Sequence, residues 1–308
     1  MSQNKLSITI LGSSAALPAN HRNPTSQLLK SDQSYYLIDC GEGTQSQLRR
    51  FHLKMQRIKV VFISHLHGDH YFGLLGMLNS MHLLGRTASI HIVCPSDLKE
   101  IIEVQLQAGG GRMQFQIEYS FTDMVNDDRT LVYEDDQLQV DAFRLKHRIP
   151  CTGFVFNQKE KPRSYNAAEG AKHNISIKDI PNIKLGQDYV NVDGLVIPNK
   201  QLTLEPPSPK SYAFCTDTLP LDNTVEQVKG VDCLYHESTF SQVETKRALA
   251  TYHSTTKEAA QIAKKAGVGK LVLGHYSARY GDLSILLDEA KWVFDKSILA
   301  IEGEEINI

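Results

Sequence analysis

The sequence predicts an α/β fold of layered sheets with helices outside, and three observations carry that expectation. Apolar, β-branched runs such as Leu6-Ser7-Ile8-Thr9-Ile10-Leu11-Gly12 and Lys59-Val60-Val61-Phe62-Ile63 read as buried strands and are interspersed with stretches of helical character. The two kinds of element mix without a strict strand–helix–strand repeat, as layered sheets do. Several of the apolar runs, in both halves of the chain, end in a polar residue, which suggests two similar layers closing over one site.

Taken in order, Leu6–Gly12 and Ser34–Cys40 are the first expected strands, joined by a loop, 13–24, whose Pro and Asn content opposes regular structure. Asp39-Cys40-Gly41-Glu42-Gly43-Thr44 then turns the chain, with Thr44 as the expected helix N-cap. The strand 59–63 leads to a helix from His70 to about Leu84, a strand at 89–94 and a helix at 97–107. Gly109-Gly110-Gly111 breaks the chain, and strands follow at 113–120, 130–134 and 138–146. Composition changes between 158 and 209, a polar stretch with little periodicity that closes in Glu205-Pro206-Pro207-Ser208-Pro209. Regular structure returns with strands at 211–218, 232–239, 270–276 and 297–301, and helices at 222–228, 256–266 and 283–294. Ser254 or Thr255 caps the second of these helices.

The chain has 308 residues, 41% hydrophobic and 22% charged, ample for a large core. No apolar run approaches the roughly 18 residues of a membrane span, and Met1-Ser2-Gln3-Asn4-Lys5 enters the first strand without a signal-peptide pattern. No membrane association is therefore expected. The five cysteines (Cys40, Cys94, Cys151, Cys215, Cys233) are odd in number and form no Cys-x-x-Cys pair, which points to reduced core thiols in a cytoplasmic protein. A net charge of −2 argues against a generally basic nucleic-acid binder. It leaves local patches open: residues 159–184 hold six Lys/Arg and three Asp/Glu, against 27 and 32 in the rest of the chain.

The chemistry centres on Ser64-His65-Leu66-His67-Gly68-Asp69-His70, three imidazoles and a carboxylate directly after a strand. Four potential ligands so close together would cost stability without a cation to order them, and imidazole with carboxylate is a donor set that suits zinc. Asp39, His147, Asp217 and His275 also stand at expected strand ends. Asp39 could orient metal-bound imidazoles from behind.

The order carboxylate, His-rich loop, His, Asp, His resembles the five motifs of the metallo-β-lactamase superfamily across nearly the whole chain. That resemblance implies a four-layer αββα sandwich, residues 1–308 as one domain, with metals at one edge between the sheets. It implies two Zn²⁺ per chain, one on His65, His67 and His147 and one on Asp69, His70 and His275. Asp217 would bridge them, since a bridge needs two usable atoms, and Asp39 would stand behind the ligands.

Further motifs are similar to those of ribonuclease Z, the endonucleases that mature transfer-RNA 3′ ends. These are Leu37-Ile38-Asp39-Cys40-Gly41-Glu42-Gly43-Thr44-Gln45, His236-Glu237-Ser238-Thr239, His253-Ser254-Thr255 and Gly274-His275-Tyr276-Ser277, with Arg279 and Tyr280 beyond. The loop 18–23 retains Pro18, Arg22 and Asn23 of the family pattern but has Asn20 where lysine is usual. The implied activity is removal of the 3′ trailer of precursor tRNA by attack of a metal-bridging hydroxide, leaving a 3′-hydroxyl. His253 would be the general acid, with its pKa raised by Glu237, and Asp69 would double as the base. Arg279 and Tyr280 would contact phosphate, and Arg22 and Asn23 the transfer-RNA end. The insertion within 158–209 would be an arm gripping transfer RNA through Lys159, Lys161, Arg163, Lys172 and Lys178. It lacks the Gly-Pro-rich tip common in the family and has Asn174-Ile175-Ser176-Ile177-Lys178-Asp179-Ile180-Pro181 instead. Dimerisation with a second copy is also implied. The rival expectations are a phosphodiesterase for small or cyclic nucleotide diesters, and an RNA-binding scaffold that retains the fold.

Overall fold

A computed structural model describes residues 5–110 and 112–308; Met1–Asn4, read above as the lead-in to the first strand, and Gly111 of the triple glycine lie outside the described residues. Two compact units are present, one formed by residues 5–158 with 210–308 and the other by 159–209.

The larger unit holds two seven-stranded sheets. The first runs, in spatial order, Glu305–Asn307, Leu6–Gly12, Ser26–Ser31, Ser34–Cys40, Ile58–Phe62, Ile90–Cys94, Ile117–Phe121. The second runs Ser297–Leu299, Leu271–Gly274, Cys233–Glu237, Ser211–Cys215, Cys151–Gln158, Leu138–Leu145, Thr130–Glu134. Alternation along the strands explains how both faces are buried. Tyr36, Ile38, Tyr212 and Phe214 point into a core between the sheets, where Phe62 meets Phe154 and Phe156 edge-on at 5.4 and 5.1 Å. Their neighbours Tyr35, Leu37, Ala213 and Cys215 face outward under helices. Leu74–Leu83 and Asp97–Ala108 cover the first sheet; Thr256–Ala266 and Ser284–Val293 cover the second. The result is helix, sheet, sheet, helix. Apolar side chains sit on both faces of every central strand, so continuous apolar runs rather than alternating ones mark them in the sequence.

Three strands of the two large sheets escape the sequence reading. Ser26–Ser31, Cys151–Gln158 and Glu305–Asn307 are all paired antiparallel within the sheets. The helix expected from His70 to about Leu84 is two pieces, Gly68–Tyr71 and Leu74–Leu83, broken at Gly73. A Cβ on Gly73 would lie 2.1 Å from the Gly41 carbonyl oxygen, so the break is where the helix start meets the turn after Cys40. Thr44 is not the cap. Gly43, at φ +84°, takes that position, and the Thr44 hydroxyl instead donates to the Gly41 carbonyl at 2.8 Å. Thr255 caps Thr256–Ala266, reciprocally with Glu258.

The smaller unit has more regular structure than its composition suggests: helices Ala167–Lys172, Ile180–Lys184 and Asn199–Leu202, and two short strand pairs. Ile183, Ile197 and Leu202 form its small core, and the buried Asn199 amide donates to the carbonyls of Ile183 (2.6 Å) and Gln187 (2.9 Å). Among the described residues no helix is long and apolar enough to cross a membrane.

Candidate metal centre

Strand direction assembles the site. In the second sheet Ser211–Cys215, Cys233–Glu237 and Leu271–Gly274 are mutually parallel, so their C-terminal ends deliver Asp217, Glu237 and His275 to one edge. Leu138–Leu145 runs the same way and delivers His147, while Ser34–Cys40 and Ile58–Phe62 of the first sheet deliver Asp39 and the His65–His70 segment. Asp39, Asp217 and His275 all have positive φ, of 53°, 20° and 58°. Non-glycine residues in this region cost about 1–3 kcal/mol each, the kind of strain that gathers at functional sites.

Three donor groups result: His65, His67, His147 with Asp217; Asp69, His70 with His275; and Asp217, His253 with His275. Asp217 faces both of the first two. Its Oδ2 lies 3.7 Å from His65 Nε2 and 3.6 Å from His147 Nε2; its Oδ1 lies 3.3 Å from His70 Nε2 and 3.1 Å from His275 Nε2. His67 Nδ1 lies 3.0 Å from His65 Nε2 and 3.2 Å from His147 Nε2. Metal–ligand bonds of about 2.0–2.1 Å in a tetrahedral site put neighbouring donors about 3.3 Å apart. The observed spacing brackets that edge length. Among the described residues the buried Nε2 atoms of His70 and His275 have no hydrogen-bond partner, and a buried lone pair without a donor is what a cation would satisfy. The residues fit a pair of metal ions.

The opposite ring nitrogens fix the tautomers. His65 Nδ1–H donates to the Ser64 hydroxyl (3.0 Å), His70 Nδ1–H to Asp39 Oδ2 (2.6 Å), His147 Nδ1–H to the Tyr252 carbonyl (3.0 Å) and His275 Nδ1–H to the Thr239 hydroxyl (2.9 Å). Each bond turns an Nε2 lone pair toward the centre. Asp39 is itself held by the Ser64 backbone N–H (2.8 Å) and hydroxyl (2.9 Å). Burial pulls His65, His67 and His147 below the usual imidazole value, which keeps them in the neutral form that ligates. Burial would raise Asp217, yet His275 and His70 beside it hold it well below the carboxylate range.

Beside the donors stands a second device. Glu237 is fully buried, accepts the Thr218 and Thr239 backbone N–H groups, and places Oε1 2.8 Å from His253 Nδ1. Burial alone would lower the His253 pKa, but the Glu237 carboxylate overrides it and lifts the imidazole to about 9. The His253 ring sits 5.1 Å from that of His147 and 5.4 Å from that of His275. All three line an open pocket of about 650 Å³ that also contains Asp69, Asp217 and Arg279.

The remaining expected residues lie elsewhere or are tied down. Arg279 reaches the pocket but is ion-paired with Glu244 at 3.1 Å. The Tyr280 hydroxyl accepts the Ser241 N–H at 3.0 Å, Arg22 donates to the Tyr280 carbonyl at 2.6 Å, and Asn23 donates to Glu302 through its backbone (2.6 Å) and side chain (3.0 Å). Arg22, Asn23 and Tyr280 are thus part of the frame that straps loop 13–24 to the segment after His275, rather than of the pocket lining. In the smaller unit Arg163 pairs with Glu205 (3.2 Å) and Lys172 with Glu169 (2.6 Å), Lys161 lines a groove with Arg163, Lys178 lines another, and Lys159 stands at the unit's first position. Sequence reasoning missed Glu302, which gathers Asn23 and Gln47, and Arg148 and Arg247, which line the pocket. None of these sits in a motif, and only the fold brings them in.

Comparison with known proteins adds an independent line. Residues 6–163 match the family model described as Anti-Pycsar protein Apyc1, a stretch that ends before Asp217. A Bacteroides thetaiotaomicron protein named Ribonuclease Z is 42% identical over 304 residues, covering 99% of this chain and 96% of the relative. The chain belongs to the ribonuclease Z family. Membership makes it a metal-dependent endoribonuclease on the metallo-β-lactamase fold. The solved structure of human tRNase Z, short form, is similar with a TM-score of 0.69 at 27% identity, covering 97% of this chain and 98% of that one. The metallo-beta-lactamase fold protein YhfI from Bacillus subtilis, at 19% identity and a TM-score of 0.68 over 99% and 100%, shows the fold alone.

Proposed function

We propose that this ribonuclease Z family member is a dizinc, cytoplasmic enzyme that removes the 3′ trailer of precursor tRNA and leaves a 3′-hydroxyl. The observation that carries the reading is the Glu237–His253 pair, 2.8 Å apart, standing over both donor groups. A ribose oxygen is a poor leaving group and needs a proton as it departs. A positioned imidazolium supplies one, whereas an enzyme built only for activated esters or thioesters has no such need. His65, His67 and His147 would hold one zinc and Asp69, His70 and His275 the other, with Asp217 between the two groups. When bound, the pair supplies an activated water and neutralises charge on the phosphoryl oxygens.

The chain's own residues do the rest. Asp69, whose Oδ2 accepts the Ala16 backbone N–H at 2.8 Å, is placed to take the proton of the attacking water. Asp39, Thr239 and the Tyr252 carbonyl keep the ligand imidazoles in one tautomer. Arg279 exchanges its Glu244 partner for a phosphate near the cut. The 159–209 unit, bearing Lys159, Lys161, Arg163, Lys172 and Lys178, contacts the body of the transfer RNA, and in a homodimer it serves the active site of the partner. Deleting residues 160–200 tests the reading: cleavage of precursor tRNA should fall by a hundredfold or more while a small chromogenic phosphodiester is still hydrolysed. Equal losses on both substrates, in a variant that keeps its metal and its cooperative unfolding, would remove the RNA arm.

A further inference from the structure

We infer that Arg148 and Arg247 are positioning residues that grip the RNA backbone upstream of the cut, through phosphates of the strand that keeps the new 3′-hydroxyl. The inference rests on the tRNA-processing reading and gives it a polarity. Both side chains line the same pocket as the metal donors, and both are exposed. Arg148 follows His147 directly, and its Nη2 donates to the Ala250 carbonyl at 3.4 Å. Arg247 lies on the helix Thr245–Thr251, which ends at Tyr252 in a left-handed conformation and feeds straight into His253. The two guanidinium groups and the general acid therefore share one wall.

Charge distinguishes this wall. Arg279 is neutralised by Glu244, but among the described residues neither Arg148 nor Arg247 meets a carboxylate. Two unpaired guanidinium groups beside a centre for phosphodiester hydrolysis are matched to backbone phosphates, which an Arg fork binds through paired N–H donors. Another part of the lining differs: Phe72 is 65% exposed, and a Cβ on Gly68 would strike its ring at 2.2 Å, so the ring packs against the loop that carries His67 and Asp69.

In-line displacement then sets the direction of the strand. The attacking and leaving oxygens lie on opposite sides of phosphorus, with Asp69 on the attacking side and His253 on the leaving side. The leaving oxygen is the O3′ of the nucleotide upstream of the cut. That nucleotide and the phosphates preceding it must pass along the His253 wall, where Arg148 and Arg247 stand. The trailer leaves along the other.

The test pairs variants with neutral linkages in the RNA. Arg148→Ala and Arg247→Ala should each raise KM for a 3′-extended precursor tRNA about tenfold with a smaller change in kcat, and each should reduce the slope of log(kcat/KM) against log salt by about one. Arg247→Lys should recover only part of the loss, because it keeps the charge but not the paired donors of the fork. A single methylphosphonate at one of the first two linkages upstream of the cut should cost the wild-type enzyme about tenfold and the matching Arg→Ala variant little. Should Arg148→Ala prove unstable through loss of its bond to the Ala250 carbonyl, Arg247→Ala carries the test, since its side chain makes no hydrogen bond within the described fold. Variants that bind and cleave within twofold of wild type overturn the inference, as does coupling that maps to trailer linkages. A wild-type enzyme that does not cut the precursor at all overturns the tRNA reading beneath it, and the inference with it.

Discussion

Replacing Glu237 by Gln removes one charge from behind the proposed general acid at nearly constant shape; its one amide oxygen can take the place of Oε1 toward Thr218 and His253, while the amide nitrogen takes the place of Oε2 beside Thr239. In the native protein burial pulls His253 down and the carboxylate, 2.8 Å away, lifts it to about 9. Without that charge burial prevails, and the imidazole returns to its ordinary value of 6.5 or lower. The sign follows directly. A histidine with a raised pKa is a charged proton donor below that value and loses the proton as pH climbs through it. At about pH 8 the protonated fraction would fall from roughly nine-tenths to about 3%, a loss near thirtyfold. Bound cations would lower the value in both proteins together, so the difference between them is the quantity to measure. Single-turnover cleavage of a 3′-extended precursor tRNA between about pH 6 and 10 provides it. The alkaline limb of the variant should lie about two pH units or more below that of the wild type, with the two rates converging toward the acid end. Superimposable alkaline limbs would show that Glu237 does not set the acid, and the reasoning would fail.

His253→Ala should slow RNA cleavage by about 10²–10⁴-fold, the usual worth of a general acid, yet slow hydrolysis of a p-nitrophenyl diester far less, because nitrophenolate leaves without protonation; equal losses would remove His253 from the role. Asp135→Asn concerns stability and its pH dependence. Burial would raise the Asp135 pKa, but bonds from Tyr36 (2.6 Å), the Leu138 and Gln137 N–H groups and Tyr133 hold it below the usual value. Its contribution is fully present above the ordinary carboxylate pKa and is lost as pH falls from there through the lower folded-state value, so the variant should be about 1–2 kcal/mol less stable near neutrality, with the deficit shrinking as the solution is made acidic. A constant deficit across denaturation curves at several pH values would contradict this.

How much of this was legible before folding varied with the range of the interaction that decides it. The His65–His70 segment could be read because its donors are adjacent in sequence, and Asp39, His147, Asp217 and His275 because each ends a buried apolar run. Glu302, Arg148 and Arg247 could not. Glu302 accepts from Asn23 and Gln47, which are remote in sequence, and the two arginines reach the pocket only through the fold, so no local pattern announces them. Arg22 and Asn23 were read from the family pattern of their loop, and the contacts they make in the fold, Arg22 to the Tyr280 carbonyl and Asn23 to Glu302, are again remote in sequence. Cys151–Gln158 was missed because Pro150 and Gly153 suggest a loop, yet Gly153 is required there; a Cβ would meet the Phe143 ring at 2.7 Å. Thr44 looked like a cap by residue type alone, and the close turn at Gly43 took that position instead. The 159–209 unit shows the reverse case, a polar composition that still closes a small core around Ile183, Ile197 and Leu202.

The most direct measurement is incubation of zinc-loaded protein with a 3′-extended precursor tRNA, followed by mapping of the cut and of its chemical ends. The account predicts a single cut after the discriminator region that leaves a 3′-hydroxyl on the tRNA, lost on chelation and in Asp217→Ala. No cleavage by fully metal-loaded protein, or a cut that leaves a 2′,3′-cyclic phosphate, would contradict it.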